Sequence, residues 1–228
     1  MLENISHLFY ITFIYDDRWI FFAEGLKITL ILTFASFIAG TVLGLVLCWF
    51  KMSGIPWLEK CINILNGFLM KLPTLVMLMI MLYVVFAEVS ISAEIVIIIG
   101  LTLKGASYLC EIFYSAIMAL NSEEGEAART LGMTKWQAFR YVTFPQALKG
   151  AMPLYKTRFV ATLQETSVVG YLAVMDLTRA SEVVTARTLD AFFGLILISA
   201  MYIIIGVICT TVIDLIYREK HLGEELDD

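Results

Sequence analysis

Charge is scarce in this chain: of 228 residues only 16% are Asp, Glu, Lys or Arg, against 60% in the hydrophobic class. Soluble domains carry about 25% charged and roughly 45–50% apolar residues, so a soluble globular domain is excluded and a membrane protein indicated. At roughly 20 residues per span, the chain holds five or six apolar helices and leaves no length for an autonomous catalytic domain. Basic excess is also missing. With 16 basic and 21 acidic residues the formal net charge is −5, which disfavours a role in neutralising nucleic-acid phosphates. Histidine is nearly absent, and His7 and His221 lie at opposite ends, so no catalytic constellation and no metal site is assigned. The four cysteines, Cys48, Cys61, Cys110 and Cys209, are far apart with no CxxC, which argues against a disulfide framework or a zinc site. Residues 1–17 lack the basic start and small-residue cleavage site of a secretory signal, so the first span is expected to be retained.

What is present is long apolar runs. Ile28–Phe50 and Ala191–Ile213 contain no charged residue, and at 1.5 Å per residue each is long enough to cross ~30 Å of hydrocarbon as a helix. Three further spans are interrupted: Cys61–Ala87 by Lys71 and Pro73, Ile95–Leu120 by Lys104 and Glu111, Met152–Met175 by Lys156, Arg158 and Glu165. A charge at the bilayer centre costs about 2.5–3.5 kcal/mol on insertion scales, so these must sit at an interface, a helix contact or a water-filled path. The expectation is an all-α integral membrane protein with about five transmembrane helices. Residues 1–20 form an outer N-terminal segment, 21–217 the transmembrane domain, and 218–228 an acidic tail.

Basic residues set the orientation. Lys51, Lys60, Arg129, Lys135, Arg140, Lys149, Lys156, Arg158, Arg218 and Lys220 fall on one side, against Arg18, Arg179 and Arg187 on the other. The richer side is cytoplasmic by the positive-inside rule, which places the N-terminus out and the C-terminus in. In span one Ser36, Gly40 and Gly44 recur every four residues, a small-residue stripe that lets a second backbone approach. Gly100 to Ser107 superficially has phosphate-loop spacing but lacks the lysine and lies in an apolar run, so a nucleotide site is rejected.

The one long hydrophilic interval, about 121–150, reads as a helical hairpin. Ser122 is a good N-cap, Glu123, Glu124 and Glu126 load the first turn, and Gly132 fits a C′ position. Thr134-x-x-Gln137 fits a capping box for a second helix, expected to run to about Val142 before Pro145 stops it. Ala127, Ala128 and Leu131 give the first helix a small apolar face, and Trp136 with Phe139 gives the second a large one. Pattern alone leaves open whether this hairpin lies on the membrane surface or presents itself to a partner.

Glu126-Ala127-Ala128-x-x-x-Gly132, followed by Phe144-Pro145, resembles the EAA loop of binding-protein-dependent ABC importer permeases. From about Gly25 to Tyr217 the chain is similar to the polar amino-acid branch of that family, with its MetI-like fold. Gly25-Leu26-Lys27-Ile28-Thr29-Leu30 resembles the branch's opening of span one. Lys71-Leu72-Pro73-Thr74-Leu75-Val76 is similar to its R-x-x-P-L-L-V segment, and Ser107-Tyr108-Leu109-Cys110-Glu111-Ile112 to its A-Y-x-A-E-I segment. Thr166-Ser167-Val168-Val169 stands where the branch has T-S-L-V. Departures include Lys71 for arginine, Tyr114 for arginine, Glu123-Glu124 for Gly-Gln, and Gln164 for lysine.

The resemblance implies a permease subunit of an ATP-driven importer in the bacterial cytoplasmic (inner) membrane, forming the path for a polar amino acid. It implies an EAA-type coupling hairpin of Glu126, Ala127, Ala128, Gly132 and Pro145 that docks on a cytoplasmic ATPase. Expected partners are an ABC ATPase dimer, a second permease, identical or sister, and an extracytoplasmic solute-binding protein. No cofactor is expected on this chain, and ATP with Mg²⁺ belongs to the partner ATPase, so the chain itself is not an enzyme. Candidates for the solute path are the polar groups stranded in the middle spans: Lys71, Pro73, Thr74, Lys104, Tyr108, Glu111, Glu165, Thr166 and Ser167. Hydroxyls and both signs of charge can replace the lost hydration of an amino acid's ammonium and carboxylate. Against this, Lys71 and Lys104 can snorkel or be neutralised by an acid, and Thr166 and Ser167 can bond their own helix. Competing readings are a permease for another small solute such as methionine or an organic anion, a secondary transporter, or a channel subunit. The five unrepeated spans lack the repeated halves a secondary transporter needs.

Overall fold

The computed structural model describes residues 9–120, 122–172 and 174–224, and among them the chain is helix and turn without strand. In chain order, α1 is Trp19–Lys51, α2 Pro56–Lys71, α3 Thr74–Ile80, α4 Ala93–Met118 and α5 Ser122–Thr130. There follow α6 Lys135–Ala138, α7 Phe144–Glu165, α8 Leu177–Thr188 and α9 Ala191–Glu224. Among the described residues three helices are long and apolar enough to cross a membrane: α1, α4 and Phe192–Leu215 of α9. A fourth span exists if α2 and Thr74–Val85 count as one interrupted crossing. The interruption sits where proline demands it. Leu72 is extended at ψ 131 because the Pro73 ring disfavours helical geometry in the residue before it.

Two compact units emerge. One comprises residues 1–35, 74–98 and 159–228, the other 36–73 and 99–158. In the first, α8 is an amphipathic helix whose Leu177, Ala180, Ser181 and Val184 are buried at helical spacing, with Phe22 of α1 and Ile198 of α9 completing the core. Helix α8 lies between the expected spans Met152–Met175 and Ala191–Ile213, where the sequence analysis assigns no element. Its start is chemical: Oδ1 of Asp176 accepts the Arg179 N–H at 2.8 Å as an N-cap. Gly25 is needed here, because a Cβ would lie 2.7 Å from the Asp176 carbonyl oxygen.

In the second unit the small-residue stripe of α1 meets α4. A Cβ on Gly40 would lie 3.4 Å from the Ala106 nitrogen, and one on Gly44 only 2.9 Å from Leu109 Cβ. The glycine-rich stretch rejected as a phosphate loop is thus the other half of a close helix contact. Tyr155 of α7 closes this unit, its hydroxyl 3.1 Å from Thr41 Oγ1 and its ring packed on Phe37 and Phe113.

Two helix boundaries differ from the sequence expectation. Pro145 does not stop a helix: α6 passes through a widened π-turn, Phe139–Thr143, directly into α7, with Pro145 in the first turn of the new helix. The Phe144 N–H bonds the Phe139 carbonyl five residues back, and a first-turn proline has no intrahelical N–H to lose. The stretch 152–175 is not one helix either, since α7 ends at Glu165, a 3₁₀ segment covers Thr166–Leu172, and the chain is then extended at Asp176.

Candidate functional site

The hairpin is closed by its own backbone chemistry. After α5 the Gly132 N–H bonds the Arg129 carbonyl at 3.0 Å and the Met133 N–H bonds the Ala128 carbonyl at 3.2 Å, a Schellman closure. It requires a left-handed residue at 132, and Gly132 has φ +92°. Two residues on, both halves of the capping box form: the Gln137 N–H donates to Thr134 Oγ1 at 3.3 Å, and the Thr134 N–H to Gln137 Oε1 at 2.8 Å. Of the small face expected on α5, only Ala128 is buried. Ala127 is exposed and Leu131 is 83% exposed. Glu126 is exposed beside them. The expected roles of Ser122, Glu123 and Glu124 concern side chains outside the described residues.

A second polar locus lies in the same unit, where α2 stops. A helix end leaves carbonyls without intrahelical donors. Lys104 supplies one, its Nζ donating to the Leu72 carbonyl at 2.8 Å, and the Tyr108 hydroxyl supplies another to the Met70 carbonyl at 3.1 Å. An ammonium at a helix C-terminus also interacts favourably with the macrodipole. Arg158 stacks over the Tyr108 ring at 4.3 Å. One turn further along α4, Glu111 accepts from Lys51 Nζ at 2.7 and 2.8 Å and from Asn66 Nδ2 at 2.8 Å, while Lys51 also lies over the Tyr114 ring at 4.1 Å.

A model of binding-protein-dependent transport system inner membrane components matches residues 36–219. The chain belongs to that family. The "Probable amino-acid permease protein YxeN" of Bacillus subtilis is 33% identical over 86% of this chain and 89% of its own length. The "Probable glutamine ABC transporter permease protein GlnP" of the same organism is 28% identical over 82% of this chain and 87% of its own. Among solved structures, a crystal structure of an amino acid ABC transporter with histidines superposes at a TM-score of 0.78, with 30% identity, covering 87% of this chain and 94% of that one. The chain is therefore a multi-pass helical ABC-transporter permease.

Within the permease, the stranded polar residues fall into two groups. Lys104, Tyr108 and Glu111 gather on one stretch of α4 beside the end of α2, with Lys71 and Pro73 exposed at that end. Glu165, Thr166 and Ser167 lie in the other unit, at the end of α7 and the start of the 3₁₀ turn, with Thr74 beginning α3, which packs against that turn. Thr166 donates to the Leu163 carbonyl and Ser167 to the Gln164 carbonyl, each at 2.7 Å, so both hydroxyls bond their own helix end.

Sequence reasoning missed three participants. Lys51, one of the basic residues that set the orientation, is buried and ion-paired across helices, and Asn66 joins it. No local pattern links positions 51, 66 and 111. The third is Asp176, fully buried, whose Oδ2 has no hydrogen-bond partner. Burial pushes its carboxyl up to about 6, against the hydrogen bonds from Arg179 and Thr178 that pull it down. A readable signal existed, since Asp followed by Leu-Thr-Arg is an N-cap sequence.

Proposed function

We propose that this permease is the membrane subunit of an ATP-driven, binding-protein-dependent importer for a polar amino acid. The observation that supports it is the hairpin: a Schellman turn and a complete capping box hold a rigid helix end whose Glu126, Ala127 and Leu131 face outward. In family terms this is the surface that docks on an ATPase. The likeness to amino-acid permeases along nearly the whole chain supports the substrate class. On this reading five helices cross the bacterial inner membrane, the fifth being α7, with the N-terminus out and the C-terminus in. The partners are a cytoplasmic ABC ATPase dimer carrying ATP and Mg²⁺, a second permease, and an extracytoplasmic solute-binding protein.

The mechanical requirement is that the hairpin bind the ATPase differently in its open and closed states, because only a differential interaction shifts an equilibrium. A backbone-closed turn passes that motion on where a loose loop would absorb it. Ala127 and Ala128 permit close approach, Glu126 offers a charge to the partner, Gly132 supplies the left-handed turn between α5 and α6, and Pro145 sits where the π-turn runs on into α7. The solute path draws on Lys71, Pro73, Thr74, Lys104, Tyr108, Glu111, Glu165, Thr166 and Ser167. Within this set Lys104, Tyr108 and Glu111 also hold the broken helix and its neighbours together, so they act on the path chiefly by shaping it.

The test is recovery of partners from native membranes in mild detergent, with wild type against Gly132→Trp, followed by uptake of radiolabelled amino acids into ATP-loaded vesicles. Wild type is expected to bring down an ATPase in stoichiometric amount and to support ATP-dependent uptake, and the variant to lose both. Equal partner recovery by both forms, or uptake that ignores ATP, overturns the reading.

A further inference from the structure

Between the end of α1 and the second half of the hairpin lies a groove with a chemistry of its own. It is about 340 Å³, within the range of pockets that bury small ligands, and joins a second hollow of about 510 Å³ that shares Trp49, Met52, Trp136 and Phe139. The walls come from the last turns of α1 and from α6 with its π-turn. Trp49 and Trp136 meet edge to face at 5.8 Å, and each leaves more than half of its surface exposed. Indole rings at the end of a membrane-crossing helix are placed where such rings prefer to lie, at headgroup level.

Among the described residues that line the groove, charge has one sign. Arg140 lines the first hollow and Lys135 the second, and neither lining contains an acidic residue. Lys51, on the same turn of α1, is already neutralised by Glu111 and does not contribute. The apolar wall continues along α1 through exposed Val46, Val42 and Ile38. An acyl chain leaving the groove along that line stays on apolar surface while its phosphate stays beside the two cations.

We propose that this groove is a binding site for an anionic phospholipid of the adjacent leaflet, with acyl chain between Trp49, Trp136 and Phe139 and phosphodiester held by Lys135 and Arg140. A charged headgroup fits better than a zwitterionic one, because two cations with no acidic partner among the described residues flank a largely apolar slot. The inference rests on the hairpin lying at a membrane surface and not on what Glu126 docks.

Quenching of tryptophan fluorescence by brominated acyl chains reads this contact directly. The permease, with whatever chains copurify, is placed in nanodiscs of phosphatidylcholine containing a minor fraction of either brominated phosphatidylglycerol or brominated phosphatidylcholine. A Trp136→Phe variant assigns the Trp136 share among the four tryptophans. The expected result is stronger quenching of Trp136 by the brominated phosphatidylglycerol, with the preference falling roughly five-fold for each cation removed in Lys135→Gln and Arg140→Gln. Arg129→Gln, outside the groove, should leave the preference intact and controls for net charge. Equal quenching by the two headgroups, a preference that survives the double substitution, or a Trp136 that neither lipid quenches overturns the proposal. The last outcome would mean that another chain covers the groove. Loss of the lipid preference leaves the ATPase pull-down unaffected, so the two readings fail separately.

Discussion

The two units bury polar side chains in contrasting ways. In the unit containing α2 and the hairpin, buried polarity is ionic and links separate helices: Lys51 of α1, Asn66 of α2 and Glu111 of α4 meet, and Lys104 of α4 holds the open end of α2. In the unit containing α8 it is mostly neutral and bonds backbone. Thr29 Oγ1 accepts the Leu177 N–H at 3.0 Å, Thr178 and Tyr202 share a hydroxyl contact at 3.3 Å, and the buried carboxylate of Asp176 caps a helix. The difference teaches where each unit is vulnerable. An ionic cluster fails when one partner is removed and a charge is left buried, whereas a capping cluster loses about one hydrogen bond at a time.

The largest effect should come from breaking the ion pair. Glu111→Ala leaves Lys51 buried without its acid and is expected to cost about 3 kcal/mol, the low end for buried pairs because the Glu111 side chain is 31% exposed. Thermal unfolding in detergent, followed by loss of the monodisperse peak, measures it. The double change Lys51→Met with Glu111→Leu should recover most of the loss. If the single substitution is silent, the contrast between the units collapses.

The opposite unit should respond to pH. Asp176 titrates near 6 when folded against 3.8 as a free carboxyl, so the folded state binds its proton more tightly than the unfolded state. Stability from this group is therefore gained as pH falls from about 6 toward 4 and lost as pH rises through about 6, a difference of about 3 kcal/mol across the window. Asp176→Asn keeps a capping oxygen and removes the charge, so it should flatten the unfolding profile between those limits and stabilise the protein at neutral pH. An unchanged profile would remove Asp176 from this account.

Smaller effects separate packing from capping. Gly44→Ala drives a methyl to 2.9 Å from Leu109 Cβ and 3.0 Å from the Ala106 carbonyl oxygen and should cost about 1–3 kcal/mol. Gly40→Ala, with its nearest neighbour at 3.4 Å, should cost less, and the two unfolding temperatures give the ranking. Thr134→Ala removes one half of the capping box and should cost about 1 kcal/mol, read as faster proteolysis within the hairpin.

Much of the fold was readable because it rests on local rules. The charge-free runs of α1 and α9, the break before Pro73, the glycine turn at 132 and the Thr134 box each follow from a few neighbouring residues, and the structure contains all of them. The Pro145 stop was misread because a proline in a first turn and a proline after a last turn leave the same sequence trace. The backbone chose between them by widening into a π-turn. Helix α8 was missed because a short amphipathic helix with two arginines resembles a polar connection until Phe22 and Ile198 supply its other face.

Composition and spacing alone determined that this is a helical membrane protein with a capped polar hairpin, since hydrophobicity, propensity and turn chemistry act over a few residues. Tertiary structure alone decided which of the stranded charges are satisfied and by what. Lys51 reaches Glu111 over a separation of 60 residues, and Lys104 meets the Leu72 carbonyl over 32. In an apolar interior a charge must find a partner, and only the packing of helices onto one another determines which partner comes within hydrogen-bond distance.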